Sequence, residues 1–107
     1  MGKWIDLEAA DGHRLAAYRA DPAGTPRGGL VVVQEIFGVN RHIRRVCDGY
    51  AADGYVVVAP ALFDRHQKNV DWGYTPDDIA RGRELRGRAD NRSALADIAA
   101  ALSVAAT

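Results

Sequence analysis

The sequence predicts a three-layer α/β fold with an incomplete sheet. Two apolar runs, Leu30-Val31-Val32-Val33 and Tyr55-Val56-Val57-Val58-Ala59, flank one amphipathic helical stretch. Continuous apolar runs of this length read as strands covered on both faces. Strand, helix and strand at this spacing form a right-handed βαβ crossover with parallel strands. Ahead of them, residues 3–9 and 13–19 alternate loosely around Ala10-Asp11-Gly12, a hairpin signal.

Asp21 to Gly29 is punctuated by Pro and Gly and reads as a loop. Leu30 to Gln34 is the first buried strand. Asn40 is a good helix N-cap. Beyond it, Ile43, Val46, Cys47, Tyr50 and Ala51 recur on one helical face, with Arg41, His42, Arg44, Arg45 and Asp48 on the other. Gly54 suits the position that ends this helix. The second buried strand runs to Pro60, and a long loop extends from Ala61 to about Tyr74. Thr75-Pro76-Asp77-Asp78 is a strong helix start: a Thr cap, Pro at the first position and acids in the electropositive first turn. That helix reaches about Arg88. A last helix begins near Asp90 or Asn91 and presents Leu95, Ile98, Ala99 and Leu102 on one face. No further parallel strand follows, so one parallel strand should lie at an edge without a partner. One partial domain over residues 1–107 is the expected organisation.

Composition narrows the function. Lys plus Arg is 14 and Asp plus Glu is 14, and the signs balance in residues 1–53 and again in 54–107. That argues against nucleic acid or an anionic membrane as partner, since either calls for a basic patch. No apolar run approaches the roughly 20 residues of a bilayer span, and the N-terminus lacks the apolar core of a signal peptide. A single cysteine, Cys47, excludes an internal disulfide framework and suits the cytoplasm.

Few residues can carry chemistry. A strand-to-helix nucleophile elbow, Gly-x-Ser-x-Gly or its Cys equivalent, is absent, and Ser93 and Ser103 fall in the last helix. Cys47 sits on an apolar helix face and reads as core. His13, His42 and His66 have no second His or Cys at ligand spacing, so they read as solvated side chains and no metal site is expected. His66 stands out because its loop follows a strand's carboxyl end. Dinucleotide and P-loop glycine patterns are also absent, so the βαβ unit lacks those phosphate-binding fingerprints. The arginines at 81, 83, 86, 88 and 92 form either a solvated face or a face with one guanidinium turned inward to clamp a carboxylate. Glu35 follows four apolar residues at a strand's carboxyl end, where open α/β sheets bind ligands. It is either paired with an arginine such as Arg41 or held at an active-site floor as base or orienting group.

Gln34-Glu35-Ile36-Phe37-Gly38-Val39-Asn40, then Ile43-Arg44, then Ala52-Asp53-Gly54-Tyr55 through Asp64-Arg65 resemble the dienelactone hydrolase family in order and spacing. The Gln-Glu-Ile-Phe-Gly segment is the specific part, and Ala61 departs from the family's pattern where an acid is frequent. The resemblance implies the N-terminal part of an α/β-hydrolase fold and hydrolysis of an enol-lactone or related ester (carboxymethylenebutenolidase type). It also implies a Cys-His-Asp triad and no cofactor. Glu35 would partner the nucleophilic cysteine, and Ile36 would offer its backbone N–H to the oxyanion. Arg81 and Phe37 are the matching substrate contacts. In the family the nucleophile elbow follows the helix at which this sequence stops, so the 107 residues alone are expected to be inactive. Two other readings stand beside this one. The first is a non-catalytic half-domain that forms oligomers through its open sheet edge. The second is a different small-molecule binder built on the Glu35 turn.

Overall fold

The computed structural model describes residues 2–106; Met1 and Thr107, the two ends of the expected domain, lie outside the described residues. β1 (Lys3–Glu8) and β2 (Arg14–Ala20) form the antiparallel hairpin. Its turn needs Gly12, whose φ is +87°. β3 (Gly28–Val31), α1 (Arg41–Ala52) and β4 (Tyr55–Pro60) form the crossover, with β3 and β4 parallel. The sheet order is β1-β2-β4-β3, with β2 antiparallel to β4. β3 is therefore an edge strand, as the missing partner strand implied. The chain closes with α2 (Pro76–Arg88) and α3 (Asn91–Ala105). No helix among the described residues is long and apolar enough to cross a membrane.

α1 starts where Asn40 Oδ1 accepts the Ile43 N–H at 3.1 Å, and it ends before Gly54 at φ +106°. Its buried stripe is Ile43, Cys47 and Ala51, packed on Tyr18, Ala20, Val57 and Ala59. The small Cys47 and Ala51 let the helix sit close to the sheet, and Tyr50 is turned aside into solvent at the edge of this narrow stripe. α3 covers the other sheet face, where Ala101 and Ala105 meet Leu7, Leu15, Ala17 and Val58.

Three expectations need correction. The first strand pairs over Gly28–Val31 and not over Leu30–Gln34, although Val32 N–H still bonds the Val58 carbonyl at 3.0 Å. Continuing the register would bring Val33 opposite Pro60, which has no N–H to donate. The long loop contains a short 3-10 helix, Leu62–Arg65, with Phe63 buried. The buried face of α3 is Asp97, Ala101 and Ala105, while Leu95 and Leu102 are 64% and 53% exposed.

That reversal has a physical cause. A side chain on Gly29 would strike the Ala105 carbonyl, so α3 approaches β3 through small residues. Asp97, fully buried, is neutralised by Arg65, whose Nε and Nη2 donate to its two oxygens at 3.1 and 2.8 Å. A planar guanidinium matched to a carboxylate makes such burial tolerable. The same Arg65 also forms two bonds to Asp11 in the hairpin turn, at 2.8 and 3.1 Å.

Candidate functional site

The loops at the carboxyl ends of β3 and β4 meet beside α2 and the start of α3. Glu35 to Gly38 form a tight turn, with Gly38 N–H donating to the Glu35 carbonyl at 3.3 Å. Gly38 has φ +80°, and a Cβ there would run into the Val70 carbonyl. Trp72 N–H donates to the Phe37 carbonyl at 3.0 Å. Asn40 Nδ2 donates to the Trp72 carbonyl at 2.9 Å, so the helix cap and the long loop hold the same turn. α2 packs on the turn from outside, with Gly82 against the Ile36 carbonyl. Ile36 and Trp72 complete a small cluster with Phe63, Val70 and Leu85.

On this base the Glu35 side chain projects into solvent. Among the described residues its carboxylate has no ion pair, and the alternative pairing with Arg41 is not formed. Gln34 accepts the Leu62 N–H through Oε1 at 2.8 Å and donates from Nε2 to the Glu35 carbonyl at 3.0 Å. The Ile36 N–H has no acceptor among the described residues. Glu35 and Ile36 border an open trough of about 450 Å³, which Val33, His66, Arg86 and Leu95 also line. The arrangement presents an unpaired carboxylate and a free N–H on adjacent positions of one rigid turn. Such a pair can activate or orient a nucleophile and bind developing negative charge.

The other expected residues are placed elsewhere. Arg81 is exposed and borders a separate cleft of about 230 Å³ with Trp72, Glu84 and Arg88, so it is not brought to Glu35. Arg86 is the arginine of that helix at the trough. Phe37 is buried beneath the turn, edge-on to Tyr74 with centroids 4.5 Å apart, and does not line the trough. Cys47 is fully buried, and burial, followed by the Asp48 charge, pushes its thiol up to about 11. A thiol so protonated is inert. His42 is exposed, whereas His13 is only part-exposed, and its Nε2 is buried without a hydrogen-bond partner. The solvated reading of His13 is thus corrected: the hairpin turn lies against the 3-10 helix, where Asp64 accepts the Ala16 N–H at 2.8 Å. Among the described residues no three His, Cys, Asp or Glu side chains are grouped to hold a metal ion.

Two contributors went unread in the sequence. One is Gln34, whose signal was a polar residue closing an apolar run. The other is the Arg65–Asp97 pair, whose signal was a lone acid in an Ala-rich helix.

Comparisons with known proteins bear on the family and the fold. A "Putative carboxymethylenebutenolidase" of Synechocystis is 40% identical over 95 residues, which is 88% of this chain and 39% of that protein. The carboxymethylenebutenolidase of Pseudomonas putida is 38% identical over 61 residues, 57% of this chain and 26% of that protein. A crystal structure described as a "Putative Dienelactone Hydrolase" from Klebsiella pneumoniae superposes with a TM-score of 0.73 at 31% identity, over 96% of this chain and 44% of that one. The chain thus spans less than half the length of these relatives. Its fold is the N-terminal part of theirs, with the sheet left open at β3. The sequence model of the dienelactone hydrolase family matches residues 15–107, and the chain belongs to that family.

Proposed function

We propose that residues 1–107 are one partial domain of a carboxylic-ester hydrolase acting on an enol-lactone or related ester. In this reading the nucleophile comes from chain outside these residues, because no nucleophile elbow occurs within them. A cysteine thiolate attacks the ester carbonyl, and the negative charge gathers on the carbonyl oxygen. Collapse of that intermediate breaks the C–O bond to the alcohol or enol oxygen and leaves an acyl thioester. Water then cleaves the thioester and returns the thiol. Glu35 stands beside the thiol to take up or redirect its proton, and the Ile36 N–H donates to the oxyanion. The single observation behind this reading is the unpaired Glu35 carboxylate beside the unsatisfied Ile36 N–H at the carboxyl end of β3. Dependence on a thiolate suits a reducing compartment such as the cytoplasm.

The test is turnover of a p-nitrophenyl ester. The 107-residue chain should not exceed the buffer rate. Joined to the remaining segment of the Synechocystis relative, it should turn the ester over, and Glu35→Gln should then lower the rate at least tenfold. An isolated chain that hydrolyses the ester at an enzyme-like rate, and keeps that rate after Cys47→Ala, would overturn the reading.

A specific observation also favours a second reading. Val33 and Leu95 are each more than half exposed and border the same trough, and Leu102, also more than half exposed, lies seven residues on in α3, the helix that packs on β3. An apolar face beside an unpaired strand edge is suited to association, here between two copies of the chain.

A further inference from the structure

We propose that Gln34 is a positioning residue that sets the direction of the Ile36 N–H. The inference rests on the reading that this N–H receives the oxyanion. A peptide unit is planar and trans, so the Glu35 carbonyl and the Ile36 N–H share one plane and point in opposite directions. Whatever holds the carbonyl therefore aims the N–H. Two donors hold it: Gln34 Nε2 at 3.0 Å and Gly38 N–H at 3.3 Å. The Gly38 bond is the longer of the two and belongs to the turn itself. The Gln34 bond reaches beyond the turn, because the same amide accepts the Leu62 N–H at 2.8 Å.

One side chain thus ties the exit of β3 to the start of the 3-10 helix that follows β4. The Arg65–Asp97 pair fixes that helix in turn against α3. The amide is used in both senses, with oxygen toward a donor and nitrogen toward an acceptor. Turned over, it would set its NH₂ against the Leu62 N–H, so the orientation has one satisfactory solution. A leucine, apolar and one bond shorter, supplies neither bond. A glutamate keeps the acceptor for Leu62, but it sets a carboxylate oxygen against the Glu35 carbonyl. Gln34→Glu therefore separates anchoring of the side chain from aiming of the peptide.

Amide NMR of the 107-residue chain tests the proposal. In Gln34→Leu and Gln34→Glu, the Ile36 amide resonance should move while Val57 in the central strand stays in place. In Gln34→Glu alone, the Leu62 amide should keep the hydrogen-exchange rate of the wild type. An Ile36 resonance unmoved in both variants would overturn the proposal. In the joined hydrolase described above, Gln34→Glu should lower kcat about a hundredfold, the effect of losing one oxyanion donor, with KM nearly unchanged. A raised KM at unchanged kcat would count against positioning. The two readings fail separately: if the joined chain shows no esterase activity, the hydrolase reading falls, while the Ile36 resonance still reports on Gln34.

Discussion

At the scale of single residues, charge placement decides more than composition suggests. Arg65 serves two acids at once: Asp97 in the core and Asp11 at the hairpin turn. Hydrogen bonds from Arg65, then from the His13 N–H, pull the Asp11 carboxyl down from 3.8 to about 2. An acid with a lowered folded-state pKa contributes stability above its unfolded pKa and loses it as pH falls through the folded value. The urea midpoint of the wild type should therefore fall between about pH 4 and pH 2 more steeply than that of Asp11→Asn. Equal slopes for the two proteins would show that the Arg65 bonds at the turn contribute nothing in solution. Glu35 carries no such partner, which is why a residue read as structural or functional from the sequence stands as a free carboxylate at the trough.

At the scale of elements, small residues decide where helices dock. α2 meets the Ile36 carbonyl at Gly82, whereas Gly87 in the same helix faces open space. Alanine is favoured over glycine by about 1 kcal/mol inside a helix. At Gly82 that gain should be outweighed by overpacking of about 2 kcal/mol, because backbone, which cannot swing away, meets the new methyl. Gly82→Ala should lower the unfolding free energy and Gly87→Ala, one residue from the end of α2, should raise it slightly. Chemical denaturation of both variants checks the opposite signs. The same logic explains α3. Hydropathy ranks Leu95 and Leu102 above alanine, but Gly29 leaves room only for a small-residue face, so Ala101 and Ala105 go inward. The Asn40 and Thr75 caps were legible because each accepts a backbone N–H three residues on, a purely local event; Asp90 caps α3 in the same way, where the sequence located only the helix start.

At the scale of the whole molecule, the sheet is covered on both faces, and β3 is one of its two edge strands. α1 and α3 enclose the two faces, and α3, which packs on the edge strand β3, turns Leu95 and Leu102 outward. Replacing Leu95 and Leu102 together by glutamate should change the unfolding free energy by no more than about 0.5 kcal/mol per site, as expected for surface positions. It should also abolish any rise in mass with concentration seen by sedimentation. Association that survives the double substitution would move the contact away from this face. The sequence by itself determined the βαβ unit, the hairpin, the Asn40 and Thr75 caps and the Glu35–Gly38 turn, because strand runs, capping residues and glycines act over a few neighbours. Only the tertiary structure decided which face of α3 is buried, that Arg86 and not Arg81 borders the trough, and that Gln34 spans from β3 to Leu62. Those outcomes depend on close approaches and pairings between residues about 30 to 75 positions apart, which no local pattern encodes.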